Sequence, residues 1–178
     1  MCKRILSIKK LPCGLSNPGS NLRLLIINTD GLTGPWEQWN ATKGIYEIIG
    51  PPPLVPGESF AEFEFTKDTC EGKYTQEGDK DNPSYKHDIG VDLAGYSLAI
   101  YEQITGLKGQ HVIAVLKNKA GALLCQYGCY DDPLYVTMSG TTGKKSGDKR
   151  QNTIGLSADG VEFIPIPIPM GIVIPVLP

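Results

Sequence analysis

Several stretches of this chain carry residue types with chemistry in them, and each stops short of a complete site. Gly140-Thr141-Thr142-Gly143-Lys144-Lys145-Ser146 has the ingredients of a phosphate-cradling loop. Such a loop needs four residues between its glycines and a hydroxyl directly after the lysine, whereas here two residues intervene and a second lysine comes next. It reads better as a basic surface loop carrying Lys144, Lys145, Lys149 and Arg150. Cys125 and Cys129 are four apart, and a tetrahedral zinc site would have to recruit both histidines of the chain, His87 and His111, from separate segments. The same two histidines are the whole supply for a Ser/His/Asp or Cys/His relay, and no turn motif marks a nucleophile beside either. Asp79, Asp81 and Asn82 offer oxygen ligands for Ca²⁺, but Lys80 and Pro83 interrupt the series and no closing glutamate stands at loop spacing. Glu62 and Glu64 project together as a glycosidase pair would, an arrangement that any half-exposed strand gives without selection for catalysis. Trp36, Trp39 and Tyr130 supply flat rings for sugar stacking, although two tryptophans in a polar loop read first as a lid over a core. The expectation is a protein that is not an enzyme and holds no cofactor and no metal.

The elements that would position these residues are short strands. His111 to Leu116 is apolar and rich in β-branched residues, Asn118 and Gly121 mark a turn, and Ala122 to Tyr127 returns. This hairpin is the centre of the chain. Leu22 to Asn28 is apolar at nearly every position, as suits a strand covered on both faces. Shorter strands are expected at Ile5 to Leu11 and Ile45 to Ile49, the latter stopped by Gly50 and three prolines that lack ladder donors. Phe60 to Phe65 alternates, with Ala61, Phe63 and Phe65 toward a core and Phe60, Glu62 and Glu64 on a mostly wet face. Cys70 to Tyr85 is a polar hairpin or long loop that projects, and Tyr85 to Leu93 is again a strand. Tyr96, Ile100, Ile104 and Leu107 recur at helical spacing with Gly106 near the end, which predicts the one helix. Strands at Pro133 to Met138 and Asn152 to Leu156 flank the polar loop Ser139 to Gln151.

Composition agrees with this class. In 178 residues, 21 glycines and 14 prolines punctuate β-rich runs, so the fold class is mainly β: a β-sandwich or β-barrel of antiparallel strands with one flanking helix and extended terminal arms. Residues 1–59 form N-terminal strands and an arm, 60–160 the core domain, and 161–178 a Pro/Ile-rich C-terminal arm. The net charge of −2 argues against a general nucleic-acid or membrane-surface binder. Glu58 to Asp92 is the acidic part, with ten acids against four lysines. Five scattered cysteines, and Lys9 and Lys10 cutting short the apolar start, predict free thiols in a reducing cytoplasm. No run reaches the roughly 18 apolar residues of a membrane helix, because prolines break the C-terminal stretch. That stretch alternates proline with isoleucine from Ile164 to Pro169, so it is extended and apolar, and it must dock on something.

The order of Phe60 to Thr66, a polar hairpin to Tyr85, one helix, Asn118-Lys119-Ala120-Gly121, Gly128, then Ser139-Gly140, Ser146-Gly147-Asp148 and Thr153-Ile154 resembles structural proteins of phage tails. These are the tube and collar-ring subunits found in crAss-like and related phages of Bacteroidetes. The likeness covers about residues 60–160 and is one of order and spacing. It implies a virion protein, made in the host cytoplasm, that forms a homo-oligomeric ring in the tail or head-tail connector. Neighbouring tail or connector proteins are its implied partners, and double-stranded DNA passes through without specific binding; no membrane is involved. The assembly contacts expected of this chain are the loop residues Lys144, Lys145, Lys149 and Arg150 and the arm residues Ile164, Ile166, Ile168, Met170, Ile172 and Ile174. The alternative is a carbohydrate- or ligand-binding β-sandwich module.

Overall fold

The structure is a computed structural model and describes residues 22–63, 65, 69–79, 82–94, 98–118, 120–141 and 151–177. The chain is mainly β and antiparallel, as its composition predicts. Its strands are β1 (Leu22–Asn28), β2 (Gln38–Asn40), β3 (Ile45–Glu47), β4 (Ala61–Phe63), β5 (Glu71–Asp79) and β6 (Asn82–Ala94). After the helix α1 (Leu98–Leu107) come β7 (His111–Asn118), β8 (Leu123–Tyr127), β9 (Leu134–Thr141), β10 (Gln151–Val161) and β11 (Ile166–Pro167). The strand expected at Ile5 to Leu11 and the basic residues Lys144, Lys145, Lys149 and Arg150 lie outside the described residues.

One sheet runs β11-β8-β7-β9-β10-β6-β5, with β1 lying between β7 and β4. The predicted hairpin β7–β8 is at its centre, closed by Asn118, whose side chain accepts from Ala122 N–H at 2.9 Å. β1 pairs with β7 along its whole length, Leu22 opposite Asn118 through to Asn28 opposite Val112. β1 of the N-terminal segment is thus woven into the same sheet as the core, while β2 and β3 pair with each other in a separate two-stranded sheet.

Strand alternation divides the apolar side chains of β1 and β7 between two faces. Leu24, Ile26, Val112, Ala114 and Leu116 point into one core with Ile89, Val91, Ile154 and Leu156 from β6 and β10. Leu25, Ile27, Ile113 and Val115 point into a second, with Trp36, Ile48, Phe60, Ile166, Ile168 and Ile174. This is why Leu22 to Asn28 has no polar face, and the sheet arrangement is sandwich-like. Leu107 and Ile104 bring α1 onto the first core, and Gln110 Nε2 donates to the Gly106 carbonyl at 2.6 Å at the helix end.

Three expectations need correction. Phe60 is not on a wet face: it is fully buried in the second core, held by Phe60 N–H to Pro175 O and Leu177 N–H to Phe60 O, both 2.9 Å. Trp39 is not in a loop; it sits on β2, paired across the β2–β3 hairpin with Tyr46. The C-terminal arm does not reach for a neighbour with all its isoleucines: Ile166, Ile168 and Ile174 are buried against the chain's own body. The reason is that β1 and β7 are apolar on both faces, so their outer face needs a cover, and the arm supplies it. Proline leaves the isoleucines to make the ladder, with Ile166 opposite Gln126 and Ile168 N–H donating to Leu124 O at 3.1 Å. Ile172 packs partly buried on the same core, while Ile164 and Met170 are exposed.

Candidate functional site

The feature with the character of a binding site is an open groove of about 1050 Å³. Three elements build it. The β2–β3 hairpin contributes Trp39 and Tyr46, its turn fixed by Asn40 Oδ1 accepting from Thr42 and Lys43 N–H at 3.0 and 3.1 Å. The tip of the β5–β6 hairpin contributes Asn82 and Tyr85. The third side begins where β10 leaves its register with β6 between Ala158 and Val161, a bulge at Gly160 with φ of 79°. A bulge bends the strand and re-aims the residues beyond it, and a positive φ favours glycine there. The chain then runs through Glu162 and Phe163 into β11.

The rings are arranged edge to face or tilted. Trp39 meets Tyr46 at 5.1 Å between centroids and Tyr46 meets Phe163 at 4.7 Å. Trp39 is 57% exposed, although aromatic surface of this size is usually buried. The Tyr46 hydroxyl donates to Glu162 Oε2 at 3.0 Å, and this bond, more than burial, raises the Tyr46 pKa. Among the described residues, Glu162 is the one charged side chain lining the groove. Its second carboxylate oxygen and the Trp39 indole N–H carry no bond to any described residue, so the groove offers an aromatic face beside a solvent-exposed carboxylate.

Beneath the arm lies a buried polar chain. Gln126 Nε2 donates to Glu37 Oε2 at 2.9 Å and to Gly128 O at 3.0 Å, and Tyr130 N–H donates to Glu37 Oε1 at 3.1 Å. Gly128 N–H donates to His87 Nδ1 at 3.1 Å, and His87 Nε2–H donates to Phe163 O at 2.9 Å. Gly128 has φ of 68°, and a Cβ there would meet Leu134 at 2.9 Å, so only glycine closes this turn. Both histidine nitrogens are consumed, and burial lowers the His87 pKa below 6.5, partly offset by the Phe163 carbonyl and Asp88. Gln126 Oε1 is buried without a partner among the described residues, a cost of about 1–3 kcal/mol.

The structure disperses most of the residues singled out from sequence. His87 is fully buried, His111 packs its ring on Tyr135 at 4.6 Å, and among the described residues no three His, Cys, Asp or Glu side chains gather to hold a metal ion. Cys129 Sγ accepts from Asp132 N–H at 3.1 Å, and burial pushes its thiol up to about 12, as it does that of Cys70; Cys125 is raised for the same reason. Glu62 is tied to Arg23 at 3.0 Å and to Lys117 at 3.9 Å, and Glu64 lies outside the described residues. Asp79 faces Asn82 at the hairpin tip, and Asp81 is not among the described residues. Trp36 is buried with Nε1–H donating to Gly50 O at 2.8 Å, so of the three rings considered for sugar stacking, Trp36 is a lid and Trp39 alone lines the groove. Sequence reasoning misses Tyr46, Tyr85, Glu162 and Phe163. The turn Asn40 to Gly44 between two short runs is the available signal for the first.

Comparison with family models, curated proteins and solved structures returns no match.

Proposed function

We propose that this chain is a non-enzymatic structural subunit of a phage virion, forming an oligomeric ring in the tail or head-tail connector around the DNA conduit. The observation that carries the reading is the β5–β6 arm. All of β5 is exposed except Gly72, and the buried positions of β6 begin only at His87. Glu71 to Gln76 edge the main sheet, opposite β6 residues that pair in turn with β10, and the polar tip from Glu77 to Ser84 runs past the end of β10 as an exposed extension available to a neighbour. The two ends of the sheet also differ. At the β11 end Pro167 removes a donor, and at the β5 end nine residues present an open edge to the described part of the molecule. The resemblance in order and spacing to phage tail subunits is consistent with this reading. So is the acidity of Glu58 to Asp92, which would repel DNA in transit instead of retaining it.

The roles expected of the arm residues narrow accordingly. Ile166, Ile168 and Ile174 hold the second core, which leaves Ile164 and Met170 to touch a neighbour. A carbohydrate-binding module is the second reading, favoured by the exposed Trp39 in the groove.

Sedimentation velocity tests the first reading. The full chain is expected to run as a species of several copies. Replacing Glu77 to Ser84, which lie between the paired Gln76 and Tyr85, by Asn-Gly should give a single chain that keeps the β signal of its far-ultraviolet spectrum. A full chain that stays single at the highest attainable concentration would overturn the reading.

A further inference from the structure

The groove and the basic loop attach to opposite ends of one strand, and their chemistries are complementary. Val161, at the groove end of β10, pairs with Tyr85, whereas Gln151, at the other end, faces Ala94 and Thr141. Ten steps of strand separate the two ends by roughly 33 Å. The nine residues 142–150 are tethered at Thr141 and Gln151, which face each other, so even stretched taut the loop reaches out and back by only about 17 Å. No copy can place this loop in its own groove.

The loop carries Lys144, Lys145, Lys149 and Arg150 against the single acid Asp148. The groove presents Glu162 as its one charge, the free Trp39 face, and Tyr46 and Tyr85 around it. Glu77 and Asp79 lie opposite Ser84 and Asn82 on the hairpin whose tip lines the groove. A cation within about 6 Å of an indole or phenol face is attracted by the ring quadrupole, and a neighbouring carboxylate reinforces it. We propose that the groove receives a lysine or arginine of the Lys144 to Arg150 loop from a second copy, making a head-to-tail contact along the β10 direction. Because loop and groove are different surfaces, the contact can run head to tail into a closed ring or a stack, and a reciprocal exchange of loops about a two-fold axis is the dimeric alternative. This rests on the assembly reading above and names the surface that carries it.

The test uses a synthetic peptide of residues 141–151 titrated into the full chain at low salt, followed by tryptophan emission and its quenching by acrylamide. The peptide should shield Trp39, weaken about tenfold with Glu162→Gln, and lose its effect with Trp39→Ala; raising the salt should weaken it further. The sites of both substitutions are exposed, and both variants leave the β5–β6 arm intact. In sedimentation, Glu162→Lys should dissociate the assembly, and mixing that variant with a copy carrying Lys144→Glu, Lys145→Glu, Lys149→Glu and Arg150→Glu should restore it. A peptide with its four cations replaced by glutamine that shields Trp39 equally well overturns the proposal. So does a groove that ignores the peptide and instead responds to a neutral oligosaccharide such as cellohexaose, which would support the carbohydrate reading. An assembly that forms while the peptide fails to bind removes this inference and leaves the structural role standing. A chain that never assembles removes both, even if the peptide binds, because the contact then joins no copies.

Discussion

At the scale of single residues, the groups with catalytic potential are engaged in holding the fold. His87 is the clearest case, since one nitrogen accepts from Gly128 and the other donates to Phe163. Its pKa is lowered by burial, so above pH 6.5 both the folded and unfolded states carry it neutral and its contacts count in full. As the pH falls below 6.5 the unfolded state takes up the proton first, and stability declines until the lower folded value is passed. Thermal unfolding of the parent should therefore show a loss of stability on acidification from pH 7 toward 5.5 that is missing in His87→Gln, even though that variant starts less stable. An identical decline in both would remove His87 as its source. The thiols make a second prediction. With Cys70 and Cys129 pushed up to about 12 and Cys125 raised, the thiolate fraction at neutral pH is negligible. Iodoacetamide at pH 7.5 should label these three only after denaturant is added, as read by peptide mass mapping; rapid native labelling of Cys129 would contradict the burial argument.

Elements show the same economy, most plainly in the C-terminal arm. Its alternation of proline and isoleucine suits an edge strand: the prolines cannot donate, so pairing stops there, while the isoleucines seal the second core. Ile166→Ala and Ile174→Ala should each cost about 2–4 kcal/mol in urea unfolding. Met170→Ala, at a fully exposed position of the same arm, should stay within about 0.5 kcal/mol. Equal and small effects at all three would mean that the arm contributes no packing energy. The β5–β6 ribbon has the opposite design: Gly72 packs on Tyr127 and Leu116 of the first core, but the described residues of the tip from Glu77 to Ser84 are exposed or half-exposed, which is why shortening the tip should affect association and not folding.

For the whole molecule, the arrangement is polar along β10: an aromatic, anionic groove at one end and the tether of a cationic loop at the other. Under the proposed assembly these two ends are the head and tail surfaces of a ring or stack. The salt sensitivity expected of the groove contact comes from pairing an exposed carboxylate with cations at a wet surface, where ions at about 0.15 M screen over about 8 Å. Some other described surface charges are paired locally, as in Lys43 with Glu47 and Lys86 with Asp159, and exposed pairs of this type add little to stability.

Local pattern was enough to specify the β class, the central β7–β8 hairpin, the doubly covered β1, the helix α1 and the polar β5–β6 hairpin. All of these are written in periodicity and turn residues, which act between neighbours in the chain. Long-range packing was needed to settle what the C-terminal arm covers, which tryptophan is a lid and which is a surface, and that Tyr46, Tyr85, Glu162 and Phe163 share one groove. The bond from Tyr46 to Glu162 joins residues 116 positions apart. Neither alternation nor turn chemistry carries information over that separation; the register of the sheet and the bulge at Gly160 do.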